Sequence, residues 1–278
     1  MALHLQLTAK TTIPVEVEGI VPNVVRSQTL AEVERLPIFH GNQQLPLAEL
    51  FNVSGDPSDD RIEWEGDLAG VHWIGAKMTD GYVHVAGNAG RHLGSEMQGG
   101  EIHVDGNASD WVGGEMHGGT IHVRGRAGHL IGAAYRGSAR GMTGGTILVG
   151  GEVGNEVGHT MRRGLIAVGG NAGDLVGFNM LAGSVFIFGD SGIRHGAGMR
   201  RGTLGFFGPS APPLLPSFRY ACRYRPEILQ LIFRQLRQLD FRVPDELDYA
   251  QFDLYSGDLI EGGRGEILIR AAAKTAAK

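Results

Sequence analysis

The stretch GSEMQGGEIHVDG, Gly94 to Gly106, decides how this chain reads, because the sequence returns to it at once as GGEMHGGTIHVRG, Gly113 to Gly125. Aligned on its methionine, the unit recurs at Met78, Met97, Met116, Met142, Met161, Met180 and Met199, with spacings of 19, 19, 26, 19, 19 and 19 residues. Three residues before the methionine stands a glycine in every unit except the fourth, which has Ala139. Three residues after it stands a glycine in all seven, and an apolar–x–apolar triplet follows, such as Ile102 and Val104 or Ile121 and Val123. A further glycine, Gly87, Gly106, Gly125, Gly151, Gly170, Gly189 or Gly208, closes the unit.

A repeat of this period must be settled before any other feature is read. The triplet puts two side chains on one face of a short strand. The same phase holds a second apolar site, at Leu93, Val112, Ile131, Val157 and Val176, and the methionine makes a third. Three inward groups separated by glycine corners describe a mainly β chain, a solenoid of about seven 19-residue repeats. Glycine supplies the positive φ that such corners need, and Asn88, Asn107 and Asn171, which follow closing glycines, tolerate it too. Methionine fills irregular core space, so its recurrence reads as packing rather than metal binding. Leucine-rich repeats lack this spacing, and glycine is too dense for helical repeats.

The repeats are expected over residues 62–208. Flanking segments with the small α/β character of caps, 1–61 and 209–278, are positioned to cover open sheet ends that would otherwise aggregate. The first holds an alternating start at Leu3, Leu5 and Leu7 and a helix around Leu30–Leu36. The second is predicted to hold a helix over 226–239, with Pro226 at its first position and a buried stripe of Ile228, Ile232, Leu236 and Leu239. The tail AAAKTAAK is expected to fray.

Of 45 glycines in 278 residues, 38 fall between Gly66 and Gly208, while apolar residues make up 42 %, enough for a core. Glycine does not recur every third residue, which excludes collagen. A net charge of −5 argues against nucleic acid as partner. No apolar run is long enough to span a bilayer, and the first ten residues do not read as a signal peptide. The lone Cys222 excludes an intrachain disulfide or a cysteine-built metal site. The cytoplasm is the expected compartment.

The 26-residue spacing hides seven extra residues in AAYRGSARGMTGG, Ala133 to Gly145. An insertion into such a unit bulges from a corner. This one carries Tyr135, Arg136, Ser138 and Arg140, and is either a plain surface loop or a docking element for a partner or an anionic ligand. Arg162–Arg163 and Arg200–Arg201 share one corner two repeats apart; with Arg136 and Arg140 they form a basic edge or simply a solvated one. His84, His103 and His122 recur at an outward position, as an exposed or interface-facing column whose parallel rings converge poorly on a metal. His195 replaces an inward apolar residue near the last repeat and reads as a satisfied core or cap histidine. No nucleophile elbow, phosphate loop or zinc-protease motif is present, and no strand–glycine–helix dinucleotide fingerprint. No active site of the chain's own is expected.

The unit G-x-x-M-x-x-G-x-I-x-V-x-G, with the inserted YRGSARGMTGG and the closing YSGDLIEGGRGEI (Tyr255 to Ile267), resembles the C subunit of formylmethanofuran dehydrogenase. The repeat alone also resembles the C-terminal domain of the glutamate synthase large subunit. The likeness covers nearly the whole chain and is weakest over residues 1–60. It implies a right-handed parallel β-helix serving as a non-catalytic scaffold. Methanogens use such a subunit in a tungsten or molybdenum enzyme. Methylotrophic bacteria use it in a formyltransferase/hydrolase complex that moves formyl from tetrahydromethanopterin to a methanofuran-type carrier and hydrolyses it to formate. With 21 arginines among 25 basic residues, the chain leans to the bacterial version. The resemblance implies as partners a zinc amidohydrolase-like hydrolase subunit, a formyltransferase subunit and one further subunit. The carrier and the zinc would sit on those partners, and this chain alone would bind no cofactor. No catalytic residue carries over. Arg136 and Arg140 would meet acidic groups of a partner or of the carrier. A zinc enzyme like the γ-type carbonic anhydrases is the third reading, but their six-residue repeat does not match a period of 19.

Overall fold

The computed structural model describes residues 1–271, so most of the alanine-rich tail lies outside the described residues. The strands are β1 (Leu3–Leu7), β2 (Val15–Glu16), β3 (Pro37–His40), β4 (Gln43–Pro46), β5 (Phe51–Gly55), β6 (Arg61–Glu65), β7 (Val71–His72), β8 (Tyr82–Val85), β9 (Glu101–Val104), β10 (Thr120–Val123), β11 (Thr146–Val149), β12 (Leu165–Val168), β13 (Ser184–Ile187), β14 (Arg201–Phe206), β15 (Arg219–Tyr224), β16 (Phe252–Gly257) and β17 (Arg264–Arg270). Three α-helices are described: α1 (Pro22–Val25), α2 (Leu30–Val33) and α3 (Glu227–Gln238). The chain is mainly β. One sheet of 13 strands runs β15-β16-β17-β14-β13-β12-β11-β10-β9-β8-β6-β1-β5, and a sheet of four runs β4-β3-β2-β7. No described helix is long and apolar enough to cross a membrane.

The repeat dictates the large sheet. From β6 to β14 each strand pairs in parallel with its counterpart in the next repeat, so that like residues stack. One inward column runs Ile62, Val83, Ile102, Ile121, Ile147, Ile166, Val185, Leu204; the other runs Trp64, Val85, Val104, Val123, Val149, Val168, Ile187, Phe206, and every member is buried. Successive repeats are also bonded away from the strands. The Gly113 N–H donates to the Leu93 carbonyl (2.8 Å) and the His117 N–H to the Met97 carbonyl (2.8 Å), and this pair of contacts recurs along the stack. Leu93 and Met97 are buried beside Ile102 and Val104, each such side chain being worth roughly 1.5–3 kcal/mol relative to exposure.

The corners differ in detail from the sequence reading. Positive φ falls on the glycines flanking each methionine, such as Gly94 and Gly100, and not on the closing glycines. Gly106 is required for a different reason: a Cβ there would sit 2.6 Å from the Gly87 carbonyl oxygen of the preceding repeat. Nor do Asn88, Asn107 and Asn171 adopt positive φ. Their carboxamide oxygens accept the backbone N–H of Asn107, Arg126 and Asp190, each at 2.8–2.9 Å, tying one repeat to the next. Left-handed non-glycine residues recur instead at one place in every repeat, Trp73, His92, Trp111, Leu130, Glu156, Leu175 and Arg194, and in five of them again four residues later, at Lys77, Glu96, Glu115, Thr160 and Asn179.

Both ends of the parallel stack finish in antiparallel strands. β1 lies parallel to β6, with Leu3 opposite Ile62, and carries β5 antiparallel on its outer side. At the far end β17 lies parallel to β14, followed by the antiparallel β16 and β15. The helix expected around Leu30–Leu36 is only one turn, Leu30–Val33, closed by a reciprocal Thr29–Glu32 capping box.

The outward face holds the main correction. In the column that begins Glu63, His84, His103, His122, the residues change to Leu148, Ala167 and Phe186. Those three, with Phe207, form a second core against Leu229, Phe233 and Leu236 of α3. The helix spans Glu227–Gln238, and Pro226 sits at its N-cap, one residue before its first position. Its buried seam is Leu229, Phe233, Leu236, while Ile228 is 59 % exposed. The stripe is rotated because Phe233 packs against Phe188 and edge-on to Phe207. His122 consequently is buried rather than exposed; loss of hydration, then the charge of His103, pushes its pKa down.

Candidate functional site

The inserted loop divides into an anchor and a tip. Trp73, His92 and Trp111 occupy one corner in three successive repeats. The His92 ring stacks on Trp73 at 4.1 Å and on Trp111 at 5.5 Å. Tyr135 closes over all three, with centroid separations of 5.6–6.3 Å. Its hydroxyl donates to the buried Ser95 Oγ at 2.7 Å and lies 3.2 Å from His92 Nδ1. The Tyr135 N–H donates to Glu115 Oε1 at 2.9 Å. Burial pushes the Tyr135 phenol up to about 12 and holds the His92 imidazole down at about 4. Tyr135 therefore faces inward as the pin of the loop, while Arg136, Ser138 and Arg140 are exposed. Tyr135→Phe is expected to cost about 1 kcal/mol by removing a donor to the enclosed Ser95. A lower urea midpoint checks it, and an unchanged midpoint would mean the hydroxyl carries no stability.

Beyond the pin, the loop tip meets the basic corner. Ser138 and Arg140 line a cavity of about 620 Å³ with Glu115, His117, Thr143, Arg162 and Arg163. A neighbouring cavity of about 780 Å³ shares Arg162 and Arg163 and adds Arg200, Arg201, Arg264 and Glu261. The two make one groove along the stack. Its four paired arginines and Arg140 are visible in the sequence. Arg264, which β17 brings opposite Arg201, is not, and Arg136 lines neither cavity. Arg200 pairs with Glu261 at 3.2 Å. Among the described residues Arg140, Arg162, Arg163, Arg201 and Arg264 have no carboxylate within ion-pair distance, taken as 4.0 Å.

The histidines do not converge. His84 bridges Glu63 and Asp105 through its two nitrogens, and His103 is tilted 55° to His122 at 5.7 Å. Among the described residues no group of three or more His, Cys, Asp or Glu side chains is arranged to hold a metal ion. His195 is buried, its Nε2 bonded to the Gly192 carbonyl at 3.0 Å and its Nδ1 accepting the Val176 N–H at 3.3 Å.

Comparison with known proteins agrees with this architecture. No family model matches the chain. Over 85 residues it is 37 % identical to the C subunit of tungsten-containing formylmethanofuran dehydrogenase 2 of Methanothermobacter wolfeii, a match covering 29 % of this chain and 32 % of that protein. Over 82 residues it is 40 % identical to the C subunit of molybdenum-containing formylmethanofuran dehydrogenase 1 of Methanothermobacter thermautotrophicus, covering 29 % of this chain and 20 % of that one. The matched segment thus spans about a third or less of these curated relatives' length. The structural likeness is wider. A chain from the crystal structure of the formyltransferase/hydrolase complex (FhcABCD) of Methylorubrum extorquens, solved with methylofuran, superposes with a TM-score of 0.86 at 29 % identity, covering 97 % of this chain and all of that one. Repeat sequence and fold together make the chain similar to formylmethanofuran dehydrogenase C subunits over the matched segment, and similar end to end to a chain of the formyltransferase/hydrolase complex.

Proposed function

We propose that the chain is a non-catalytic scaffold subunit of a formyltransferase/hydrolase complex, which transfers formyl from tetrahydromethanopterin to a methanofuran-type carrier and releases formate. The observation that carries this reading is the end-to-end likeness to a chain of such a complex. The chemistry is assigned to the partners: a zinc amidohydrolase-like hydrolase, a formyltransferase and one further subunit, with carrier and zinc bound there, in the cytoplasm. In this reading residues 62–208 wind as a right-handed parallel β-helix, with 1–61 and 209–278 closing its ends. The loop pinned by Tyr135 presents Arg136, Ser138 and Arg140 as a docking element.

The identity to tungsten and molybdenum enzyme subunits over some 85 residues supports a second reading, the C subunit of a dehydrogenase. Native mass spectrometry of the tagged chain purified from the organism that encodes it, with metals quantified on the same sample, separates the two. The expected result is co-purification with hydrolase-like and formyltransferase chains and zinc, and weaker recovery of those partners with Arg136→Ala/Arg140→Ala. Tungsten or molybdenum with iron–sulfur partners would establish the second reading. A lone zinc-bearing homo-oligomer would overturn both.

A further inference from the structure

Helix α3 carries more apolar surface than its core contact uses. Leu229, Phe233 and Leu236 are buried against the sheet and Phe207. Ile228 and Leu231 remain 59 % and 65 % exposed. On the flank away from Ile228, where the Gln230 amide donates to the Asp248 carbonyl, Tyr249 is 78 % exposed. The Arg225 guanidinium stands 5.5 Å from the centre of the Tyr249 ring. Arg225, Glu227, Ile228, Gln230 and Leu231 line one surface depression of about 710 Å³, so the patch is continuous. Single exposed apolar side chains need no explanation, but a continuous patch marks a contact surface. Tyrosine and arginine are also the side chains on which such contacts most often depend.

The charges along the helix say what covers it. Glu227, Leu231 and Arg234 follow at i, i+4 and i+7, so they stand in one line, and all three are exposed. Glu227 and Arg234 are two turns, about 10 Å, apart. Neither forms an ion pair among the described residues, because the nearby acids are taken: Asp245 and Asp248 by Arg237, and Asp253 by Arg223. The line thus runs from an acid through an apolar centre to a base. A two-fold contact requires a surface complementary to itself. Laid antiparallel on a second α3, with Leu231 against Leu231, this line sets each Glu227 beside the Arg234 of the other copy. A parallel arrangement would set like charges together.

We propose that the exposed side of α3 is the surface through which two copies of this chain associate, antiparallel about a two-fold axis at Leu231. Ile228 closes one side of the contact and the Arg225–Tyr249 pair the other. The inference does not depend on which enzyme the chain serves.

The test is sedimentation velocity of the full chain over a concentration series. The contact is small, so a monomer–dimer equilibrium in the micromolar range is expected. Glu227→Arg places two like-charge pairs in the dimer, and so does Arg234→Glu. Each variant alone is expected to weaken association at least about tenfold. An equimolar mixture of the two is expected to recover wild-type association, since every arginine of the mixed dimer then faces a glutamate. That recovery separates a lost contact from a damaged helix, and circular dichroism melting confirms that both variants fold. A wild-type chain that stays monomeric at the highest concentration overturns the proposal. So does a mixture that associates no better than either variant alone. A monomeric chain that loses its co-purifying partners on Leu231→Asp would assign the surface to a different protein, and overturns it as well.

Discussion

Gly119→Ala is expected to destabilise the chain by roughly 3 kcal/mol, against a far smaller loss for Gly137→Ala. Both glycines have positive φ, +86° and +91°, a conformation that costs an L-residue about 1–2 kcal/mol. They differ in what surrounds them. A Cβ on Gly119 would meet the Met97 Cε at 2.6 Å and the Gly100 carbonyl oxygen at 2.7 Å, both in the preceding repeat. A Cβ on Gly137, in the exposed insert, meets nothing within 4 Å. The first substitution must therefore push apart neighbouring repeats whose strands and methionine are in register, adding an overpacking cost of about 1–3 kcal/mol. The second can relax into solvent. Urea unfolding of the two variants beside wild type compares a corner held by the neighbouring repeat with a free one that starts from the same backbone conformation. Equal midpoints for the two would mean that contact between repeats does not set the glycine requirement.

That contrast shows which regions of the molecule are legible in the sequence. Whatever depends on the period alone can be read: the methionine phase, the inward columns and the place of the insert follow from spacing within one chain. So does the buried His195, whose column is otherwise Leu, Val and Ile. What depends on a neighbour from a distant segment is not legible. The outward column reads as a histidine face from its first members, yet its change to Leu148, Ala167 and Phe186 is the available signal that α3 covers it. The helix stripe is misphased by the helix's own pattern because Phe207 and Phe188 select Phe233. Tyr135 reads as a loop donor, although Trp73, His92 and Trp111, 19 residues apart, already mark an aromatic corner for it to cover. Likewise the basic groove is half visible. Its arginine pairs repeat in phase, whereas Arg264 arrives from a strand some 60 residues downstream of Arg201, its parallel neighbour.

The buried histidine yields the second large effect, a stability that falls with acid. Burial holds the His195 imidazole down at about 4, against 6.5 when exposed, although the Gly192 carbonyl favours the charged form. Between those two values the unfolded chain binds a proton that the folded chain refuses, so stability rises with pH across that window and is lost as pH falls through it. The geometry explains the refusal. Nδ1 accepts the Val176 N–H at 3.3 Å, and a proton on that nitrogen would set two donors against each other in an enclosed site, with Phe206 4.7 Å away. For one such group the linkage predicts a loss of ~2 kcal/mol between pH 7 and pH 5. His195→Val places in the column the residue that Val157 and Val176 already supply in the two preceding repeats, and it has nothing to protonate. Urea unfolding at both pH values is therefore expected to show wild type losing ~2 kcal/mol more than the variant on acidification. Carboxylates common to both proteins cancel in that difference. Parallel losses in the two proteins would show that His195 protonates as readily folded as unfolded, and that the stack opens at its last repeat to let water reach the ring.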